Sequence, residues 1–378
     1  MAKFIANPAV LVLGDHPAAY LTAALLRERW KQTVLHATIP GEDWPDRLVI
    51  INPQFFDLHA LVHPLARKLD LRAVYGTRFL ADDAAVRSEH HSKSAMASVG
   101  SFRQVRDALR AVAADRGVEL VASKSLRIHR LDEHGLEVTI NGSPVRPRGL
   151  ALAGRLEPAQ ERLLGLPEIW DHGIVHRYSF VKVRGIRSAD LGSRPLVPMS
   201  LDLRGRLFWG WLLAGPRHVE LAVEQPIETL TQTPPGDLLS HWLSVLKRHA
   251  VVGDQTHAVL NDARWLDMPL GGALAHEGVA NRTVLVGPAG GFYTTSAEDI
   301  YPTCWSALFA AEALGRSLRE KHLQDALQLY RHKWRTTLGQ YLRGPQQNLR
   351  FLLPLIYRNQ VMATRLAEAI LVGKSVVR

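Results

Sequence analysis

The residues with the clearest chemical potential near the start of this sequence lie in a turn that follows the apolar run 9–13. Gly14, His16 and Ala19 occupy the three glycine positions of the pattern G-x-G-x-x-G. In that pattern the glycines permit a tight turn and the close approach of a diphosphate, and the following helix supplies backbone N–H donors. Only the first glycine is present here, and the run 36–39 offers no acidic residue to bind a ribose. The turn fits either a dinucleotide site in which His16 meets the phosphate or an ordinary connection between a strand and a helix.

A second glycine-containing turn lies near the other end of the chain, after the apolar run 283–286. Its members are Gly287, Pro288, Gly290 and Gly291. Glycines in a turn allow another backbone or a ligand to approach closely. A polar and aromatic stretch that includes Tyr293, Ala297 and Glu298 follows, before a segment rich in small residues that we predict to be a helix.

Positions 89–93 combine an acid, two imidazoles and an ammonium group. Neighbouring histidines in a strand point to opposite faces, so this pair is a poor metal chelate and we predict no metal site. His91 is a candidate active-site base or anion-binding group. The alternative is a polar loop or strand without a chemical role.

Aromatic residues in the β-rich middle of the chain indicate a cavity for a small molecule. We predict that Phe180, Trp209 and Trp211 form its wall, together with Tyr293 from the stretch after the second turn. These segments carry few charges, and an apolar substrate is therefore expected.

The elements that must position these residues alternate between strands and helices. The apolar runs 9–13 and 33–37 flank an amphipathic segment over 20–30, and such a βαβ arrangement predicts a parallel sheet with a right-handed crossover. From about residue 174 to 224 the pattern is that of antiparallel strands, and from Ser306 onward it is mostly helical. The sequence predicts an α/β fold with a Rossmann-like, mostly parallel sheet, an inserted antiparallel-sheet domain and a helical C-terminus.

The motifs also resemble, in their order along most of the chain, those of a family of FAD-dependent oxidoreductases. This family contains aromatic hydroxylases, geranylgeranyl reductases, lycopene cyclases and flavin-dependent halogenases. The resemblance rests on the late strand and turn at 283–291, the helix and strand over 102–120, the segment RLLGLP at 162–167 and the tail from 355 to 373.

The resemblance implies a domain division and a set of cofactor contacts. Residues 1–65, 98–170 and 278–345 would form an FAD-binding domain, residues 66–97 and 171–277 a substrate domain, and residues 346–378 C-terminal helices. The residues at the family's cofactor positions are Gly14, His16, Ala19, Arg103, Gly287, Pro288, Gly290, Gly291 and Ala297. Glu298 would lie at the flavin edge as a general acid, or would instead be an ordinary carboxylate at a helix N-terminus.

Several departures from the family pattern fall on these cofactor contacts. Pro288 replaces an aspartate, Ala153 replaces the acid of an Asp-Gly pair, and Phe102 stands in the register of an arginine, with Arg103 next to it. The degenerate site leaves two hypotheses. The protein is an FAD-dependent oxidoreductase, of reductase or monooxygenase type, that acts on an apolar, isoprenoid or aromatic substrate with a separate electron donor. Alternatively, it has lost flavin and binds an apolar ligand or a partner protein.

The composition bears on partners and location. The chain has 378 residues and a formal charge of +10, but its basic residues are scattered and show no nucleic-acid-binding signature, which argues against nucleic acid as a partner. A single cysteine, Cys304, excludes a disulfide framework, and we expect a cytoplasmic protein. In the segment 343–378, arginines flank apolar residues with one acid, Glu368. This segment either contacts an anionic membrane peripherally, at the inner face, or packs inward and leaves its arginines solvated.

Overall fold

A six-stranded sheet lies at the centre of the fold, in a computed structural model that describes residues 5–132, 135–165, 175–201, 207–269, 279–293, 300–320, 323–342 and 346–374. In spatial order its strands are β19 (Val279–Ala280), β20 (Thr283–Leu285), β12 (Gly149–Leu152), β1 (Val10–Leu13), β2 (Val34–Ala37) and β8 (Glu119–Val121). All neighbouring pairs are parallel except the edge pair of β19 and β20. The central strands are continuously apolar because both faces of the sheet are buried.

The two faces of this sheet pack against different elements. Val10 and Val12 face a core that includes residues of helices α1 (Pro17–Glu28) and α7 (Ile300–Ser317). Leu11 and Leu13 face a three-stranded antiparallel sheet made of β9 (Leu126–Asp132), β10 (Gly135–Ile140) and β11 (Ser143–Val145). Helix α4 (Phe102–Asp115) lies beside α1. It follows a small antiparallel sheet of β3 (Leu48–Ile51), β4 (Arg72–Val74) and β7 (Ala97–Ser101).

A larger, mostly antiparallel sheet holds the aromatic strands. Its order is β17 (His257–Ala258), β13 (Val175–Arg184), β16 (Val219–Pro226), β15 (Leu207–Ala214), β14 (Leu196–Leu201), β5 (Gly76–Leu80) and β6 (Arg87–His91), with β18 (Arg264–Pro269) also paired to β13. On one face, Phe208 and Leu212 pack against Trp242 of α6 (Pro235–Arg248). On the other face, Trp209 and Trp211 join the core shared with α1 and α7. Residues of the sheet alternate between these two cores.

The remaining helices are α2 (Gln54–Asp57), α3 (Leu65–Lys68), α5 (Pro158–Leu163), α8 (Leu323–Thr336), α9 (Leu338–Leu342), α10 (Gln346–Arg358) and α11 (Gln360–Val372). Helix α11 packs on β5 and β6 at the edge of the large sheet. In α10, Leu353 and Ile356 are buried, whereas Leu355 is 48% exposed and Val361 of α11 is 59% exposed. Inward packing of this segment is therefore only partial. Among the described residues, no helix is long and apolar enough to cross a membrane.

The predicted fold class is confirmed. The mostly parallel sheet, the separate antiparallel sheets and the C-terminal helices are all present. Helix α1 begins at Pro17, three residues before the start of the predicted amphipathic segment, because His16 caps its N-terminus and proline is tolerated in the first turn. The division into cofactor and substrate domains stays a prediction.

Candidate functional site

The first turn has the strained backbone that its glycine was expected to allow. Gly14 has a φ of 123°, and a Cβ atom there would lie 3.0 Å from the backbone of Ala153 and Gly154. The Gly14 N–H donates to the Ala37 carbonyl (3.0 Å), and the buried His36 imidazole donates to the Gly14 carbonyl (2.8 Å). The turn therefore lies at the carboxyl ends of β1, β2 and β12, where the strand order reverses. Ligands of open α/β sheets bind at such a point.

His16 fills the space in front of helix α1. Its Nδ1 accepts a hydrogen bond from the Ala18 N–H (3.2 Å), so the side chain caps the helix. Its ring is fully buried and lies 5.0 Å from the ring of Trp44, 5.4 Å from that of Phe102 and 6.3 Å from that of Tyr293. Burial, together with the nearby Arg47 charge, lowers the pKa of His16 well below its usual value. The imidazole is therefore neutral at pH 7.

Glu42, in the segment after β2, reaches back into the same turn. Its Oε2 accepts a hydrogen bond from the Asp15 N–H (2.8 Å), and its Oε1 is fully buried although the residue as a whole is half-buried. Burial raises the pKa of the Glu42 carboxyl to about 8. A second carboxylate lies beside it: Asp15 accepts hydrogen bonds from the Tyr20 hydroxyl (2.6 Å) and from Arg106 (3.1 Å). The turn thus contains two acidic groups.

Three backbone donors of this turn already have partners within the chain. The Asp15 N–H is bonded to Glu42, the Ala18 N–H to the His16 ring and the Ala19 N–H to the His16 carbonyl (2.9 Å). A helix N-terminus binds a phosphate through N–H groups that have no intrahelical partner. At the start of α1, the His16 ring satisfies one such group, that of Ala18.

The arginine at the start of α4 lies differently from the prediction. Phe102 is buried and points to His16, whereas Arg103 is exposed and lines a separate cavity with Asp46 and Lys182. A step of one residue along a helix rotates a side chain by about 100°. The arginine that reaches the first turn is Arg106, which the sequence pattern did not single out.

The second turn packs against the first. Gly287 has a φ of 54°, and a Cβ there would lie 3.0 Å from Cβ of Ala18. Its N–H donates to the Ser306 hydroxyl (2.9 Å), and the space beside Gly290 is taken by the ring of Phe292. Pro288, Ala289 and Gly291 are buried as well, with Gly291 in the left-handed conformation. The space that these glycines leave open is therefore filled by other residues of the chain.

The other predicted site residues lie apart from this crevice or outside the described residues. His91 is exposed on the edge strand β6, where its ring stacks with Tyr75 at 6.4 Å, and its role as a base stays a prediction. Trp209 and Trp211 are buried with their rings 5.7 Å apart. Phe180 is buried and lines the same cavity as Arg103. Ala297 and Glu298 lie outside the described residues.

The sequence interpretation missed a buried acid on the large sheet. Glu224 is fully buried opposite Tyr178 and Trp209, with its Oε1 3.0 Å from Nδ1 of His176. Burial raises the pKa of the Glu224 carboxyl, and its Oε2 has no partner among the described residues. The available signal was a pair of acids, Glu220 and Glu224, four residues apart in an otherwise apolar strand. An acid at an inward position of such a strand is unusual.

Comparisons with solved structures identify the fold. PqsL of P. aeruginosa, solved with 2-aminobenzoylacetate, is 16% identical with a TM-score of 0.67, and the match covers 91% of this chain and 97% of PqsL. A mutant of the halogenase PltM in complex with FAD is 14% identical with a TM-score of 0.69, covering 95% of this chain and 79% of that one. A geranylgeranyl bacteriochlorophyll reductase-like protein from Thermoplasma acidophilum is 12% identical with a TM-score of 0.67, covering 97% and 93%.

The chain has the fold of these proteins. No family model and no curated protein matches the sequence. At identities of 12 to 16%, the structural likeness establishes the architecture and leaves the activity to be argued from the site.

The residues at the crevice do not fit FAD bound with its diphosphate at the N-terminus of α1. Its diphosphate would require the N–H groups that Glu42 and His16 already occupy, and it would lie beside Asp15. The rings of Trp44 and Phe102 close the space around His16. Among the described residues, no His, Cys, Asp or Glu side chains are grouped to hold a metal ion either.

Proposed function

We propose that this chain is a ligand-binding protein that keeps the fold of FAD-dependent enzymes without holding the dinucleotide. The observation that carries the proposal is that the Glu42 carboxyl and the His16 ring accept hydrogen bonds from the Asp15 and Ala18 N–H groups, which a diphosphate at this turn would need. Both groups are held by hydrogen bonds to the turn, and the aromatic rings around His16 are buried. FAD would have to displace this cluster before it could bind.

The ligand of this proposal is an apolar, ring-bearing small molecule that binds at the mouth of the crevice. A cavity of about 510 Å³ lies there, between the segment after β2, the segment after β12 and strand β18. Trp265 lines it and is 58% exposed, with the Arg177 guanidinium 5.5 Å from its ring centroid. Arg177 is itself fixed by two hydrogen bonds to Asp267 (2.7 and 2.9 Å). An exposed tryptophan held in this way is suited to stacking against a ligand ring.

The charges at the mouth favour an uncharged ligand over an anionic one. Asp43, Glu157 and Arg155 line the cavity and are all exposed, so two carboxylates stand against one guanidinium there. Like charges near a binding site raise the free energy of a bound anion.

The test is a titration of the purified protein with FAD, followed by absorbance and calorimetry, and a titration with the neutral fluorescent probe N-phenyl-1-naphthylamine. We expect a colourless protein, no saturable FAD binding, and probe binding that Trp265→Ala weakens about tenfold or more. Val361→Ala removes an equally exposed apolar group on α11 and should leave probe binding unchanged. Tight FAD binding by the unmodified protein would refute the proposal.

A second candidate function is an FAD-dependent oxidoreductase of reductase or monooxygenase type. One local observation favours it: Nε2 of the buried His16 has no hydrogen-bond partner among the described residues. Because Nδ1 accepts the helix N–H, Nε2 carries the proton and could donate to a phosphate oxygen. In this candidate the Trp209 and Trp211 face would meet an apolar, isoprenoid or aromatic substrate, and a separate protein would supply electrons. The same FAD titration decides between the two candidates.

Peripheral contact with an anionic membrane is a further part of the proposal. The exposed side chains of Leu355 and Val361 lie in the same helical segment as the exposed Arg358 and Arg365. Apolar groups flanked by arginines suit the interface of an anionic bilayer.

A further inference from the structure

A cavity of about 760 Å³ lies away from the crevice, at the edge of the large sheet. Its walls come from the β5–β6 hairpin, the residues after α6 and the junction between α10 and α11. Leu80, Val251 and Ile356 supply apolar surface. The proposed ligand site at the crevice does not involve any of these residues.

Three buried polar atoms from three different elements line this cavity without a hydrogen-bond partner among the described residues. They are Oγ of Ser88, Nδ1 of His249 and the hydroxyl oxygen of Tyr357. His249 is only 8% exposed, and its Nε2 is fixed by a hydrogen bond to the Ala81 carbonyl (2.8 Å). Leaving a buried polar group unpaired costs about 1–3 kcal/mol. Their convergence on one cavity indicates a bound polar molecule.

The charges around the cavity are in excess on the positive side. Glu89 accepts hydrogen bonds or ion pairs from both Arg194 (2.8 Å) and Arg78 (3.3 Å). Asp190, the other acid that lines the cavity, is paired with Arg187 (3.0 Å), so Arg87 and Arg358 of the cavity wall have no acidic partner in the described part of the chain. Two unpaired guanidinium groups, together with the second arginine on Glu89, suit a dianion better than a single carboxylate.

We infer that this cavity binds a phosphate ester whose alcohol portion keeps a free hydroxyl group. Arg87 and Arg358 would bind the phosphate oxygens. Nε2 of His249 donates to the Ala81 carbonyl, so Nδ1 is the ring nitrogen left for the ligand, and a ligand hydroxyl can donate to it. Ser88 and Tyr357 can donate to the remaining oxygens. A soluble sugar or glycerol phosphate and the headgroup of a phospholipid share this chemistry.

Calorimetric titration of the full chain with glycerol 3-phosphate tests the inference, with glycerol and inorganic phosphate as partial ligands. We expect saturable binding that is weaker for both partial ligands. Arg87→Gln and Arg358→Gln should each weaken binding about tenfold, because each removes a charge-assisted hydrogen bond. His249→Phe keeps the volume of the ring and removes the acceptor at Nδ1, so it should weaken binding of glycerol 3-phosphate more than that of inorganic phosphate. Arg67→Gln, which changes an exposed arginine on α3 that does not line the cavity, is the matched control and should bind normally.

A second arm distinguishes the source of the phosphate ester. The protein is sedimented with phosphatidylcholine vesicles that contain or lack phosphatidylglycerol. Binding to the anionic vesicles alone, lost in Arg87→Gln but kept in Arg67→Gln, would identify a lipid headgroup, whereas binding of glycerol 3-phosphate alone would identify a soluble ester. The inference is overturned if neither arm shows binding that depends on Arg87 and His249, or if Arg67→Gln weakens binding as much as Arg358→Gln.

Discussion

Replacement of Glu42 by glutamine should make the stability of the protein less dependent on pH between 6.5 and 8. In the unfolded chain the Glu42 carboxyl ionises near pH 4.5, whereas burial in the turn raises its pKa in the folded protein to about 8. Between these two values the folded protein holds a proton that the unfolded chain has lost. The free energy of unfolding therefore decreases as pH rises, by up to about 1.4 kcal/mol per pH unit.

The comparison with Glu42→Gln separates this carboxyl from the buried histidines. Burial lowers the pKa of His36 to about 4 and that of His16 well below its usual value. As pH falls towards and below 6.5, the unfolded histidines take up protons that the folded ones do not, which destabilises the fold and opposes the effect of Glu42. Both proteins contain these histidines, so their contribution cancels in the difference between the two free energies of unfolding. Because Glu42 is half-buried, we expect its ionisation to lower the free energy of unfolding by about 1–2 kcal/mol as pH rises from 6.5 to 8.

The assay is urea unfolding followed by circular dichroism at several pH values between 6.5 and 8. Glu42→Gln retains an oxygen that can accept the Asp15 N–H and cannot ionise. The free energy of unfolding of Glu42→Gln, minus that of the unmodified protein, should increase by about 1–2 kcal/mol between pH 6.5 and pH 8. Glu157→Gln removes an exposed carboxylate from the rim of the same cavity and should stay parallel to the unmodified protein. A constant difference between Glu42→Gln and the unmodified protein would refute the burial of this carboxyl in the turn.

Three further perturbations test the crevice and the C-terminal helices. Phe102→Ala removes a fully buried ring from the cluster around His16 and should lower the free energy of unfolding by about 3–5 kcal/mol in the same urea assay. His16→Gly combined with Pro288→Asp should create FAD affinity, measured by calorimetry, where the unmodified protein has none; FAD binding that is equal in both proteins would contradict the loss of the cofactor. Anionic vesicles should sediment the protein at low salt and less at high salt, and Leu355→Ser with Val361→Ser should weaken this binding; recovery in the supernatant at low salt would argue against membrane contact.

The fold could be predicted because its signals are local. The runs around Val10 and Thr283 are continuously apolar because parallel strands are buried on both faces, and the alternation near Val175 reflects a sheet whose two faces meet different cores. Gly14 was identified correctly as a position that needs an unusual backbone, since a Cβ there would meet the end of β12. Each of these features can be read within a window of about ten residues.

The candidate site was harder to predict because its decisive contacts join distant segments. Glu42 and Trp44 belong to no motif, and only the folded chain brings them to the turn at positions 14–16. The helix that carries Arg103 was predicted, but its rotation decides that Phe102 points inward and that Arg106 reaches Asp15. A shift of one position on a helix rotates a side chain by about 100°, and amphipathic spacing alone does not fix the rotation of the helix to one residue.

Residues that depart from the cofactor pattern are also residues that fill the crevice. A fold that had only lost its dinucleotide would retain unpaired N–H groups at the helix N-terminus, and each buried one would cost about 1–3 kcal/mol. Here the ring of His16, a residue that stands in a glycine position of the pattern, caps the helix. Glu42 accepts a hydrogen bond from the Asp15 N–H. Phe102, in the place of an arginine, packs against that ring. In the proposed function, the substitutions that would remove contacts to a dinucleotide also supply a cap for the helix and a ring that packs against that cap, and this pairing is the reason that we favour a ligand-binding protein over an enzyme with a weakened cofactor site.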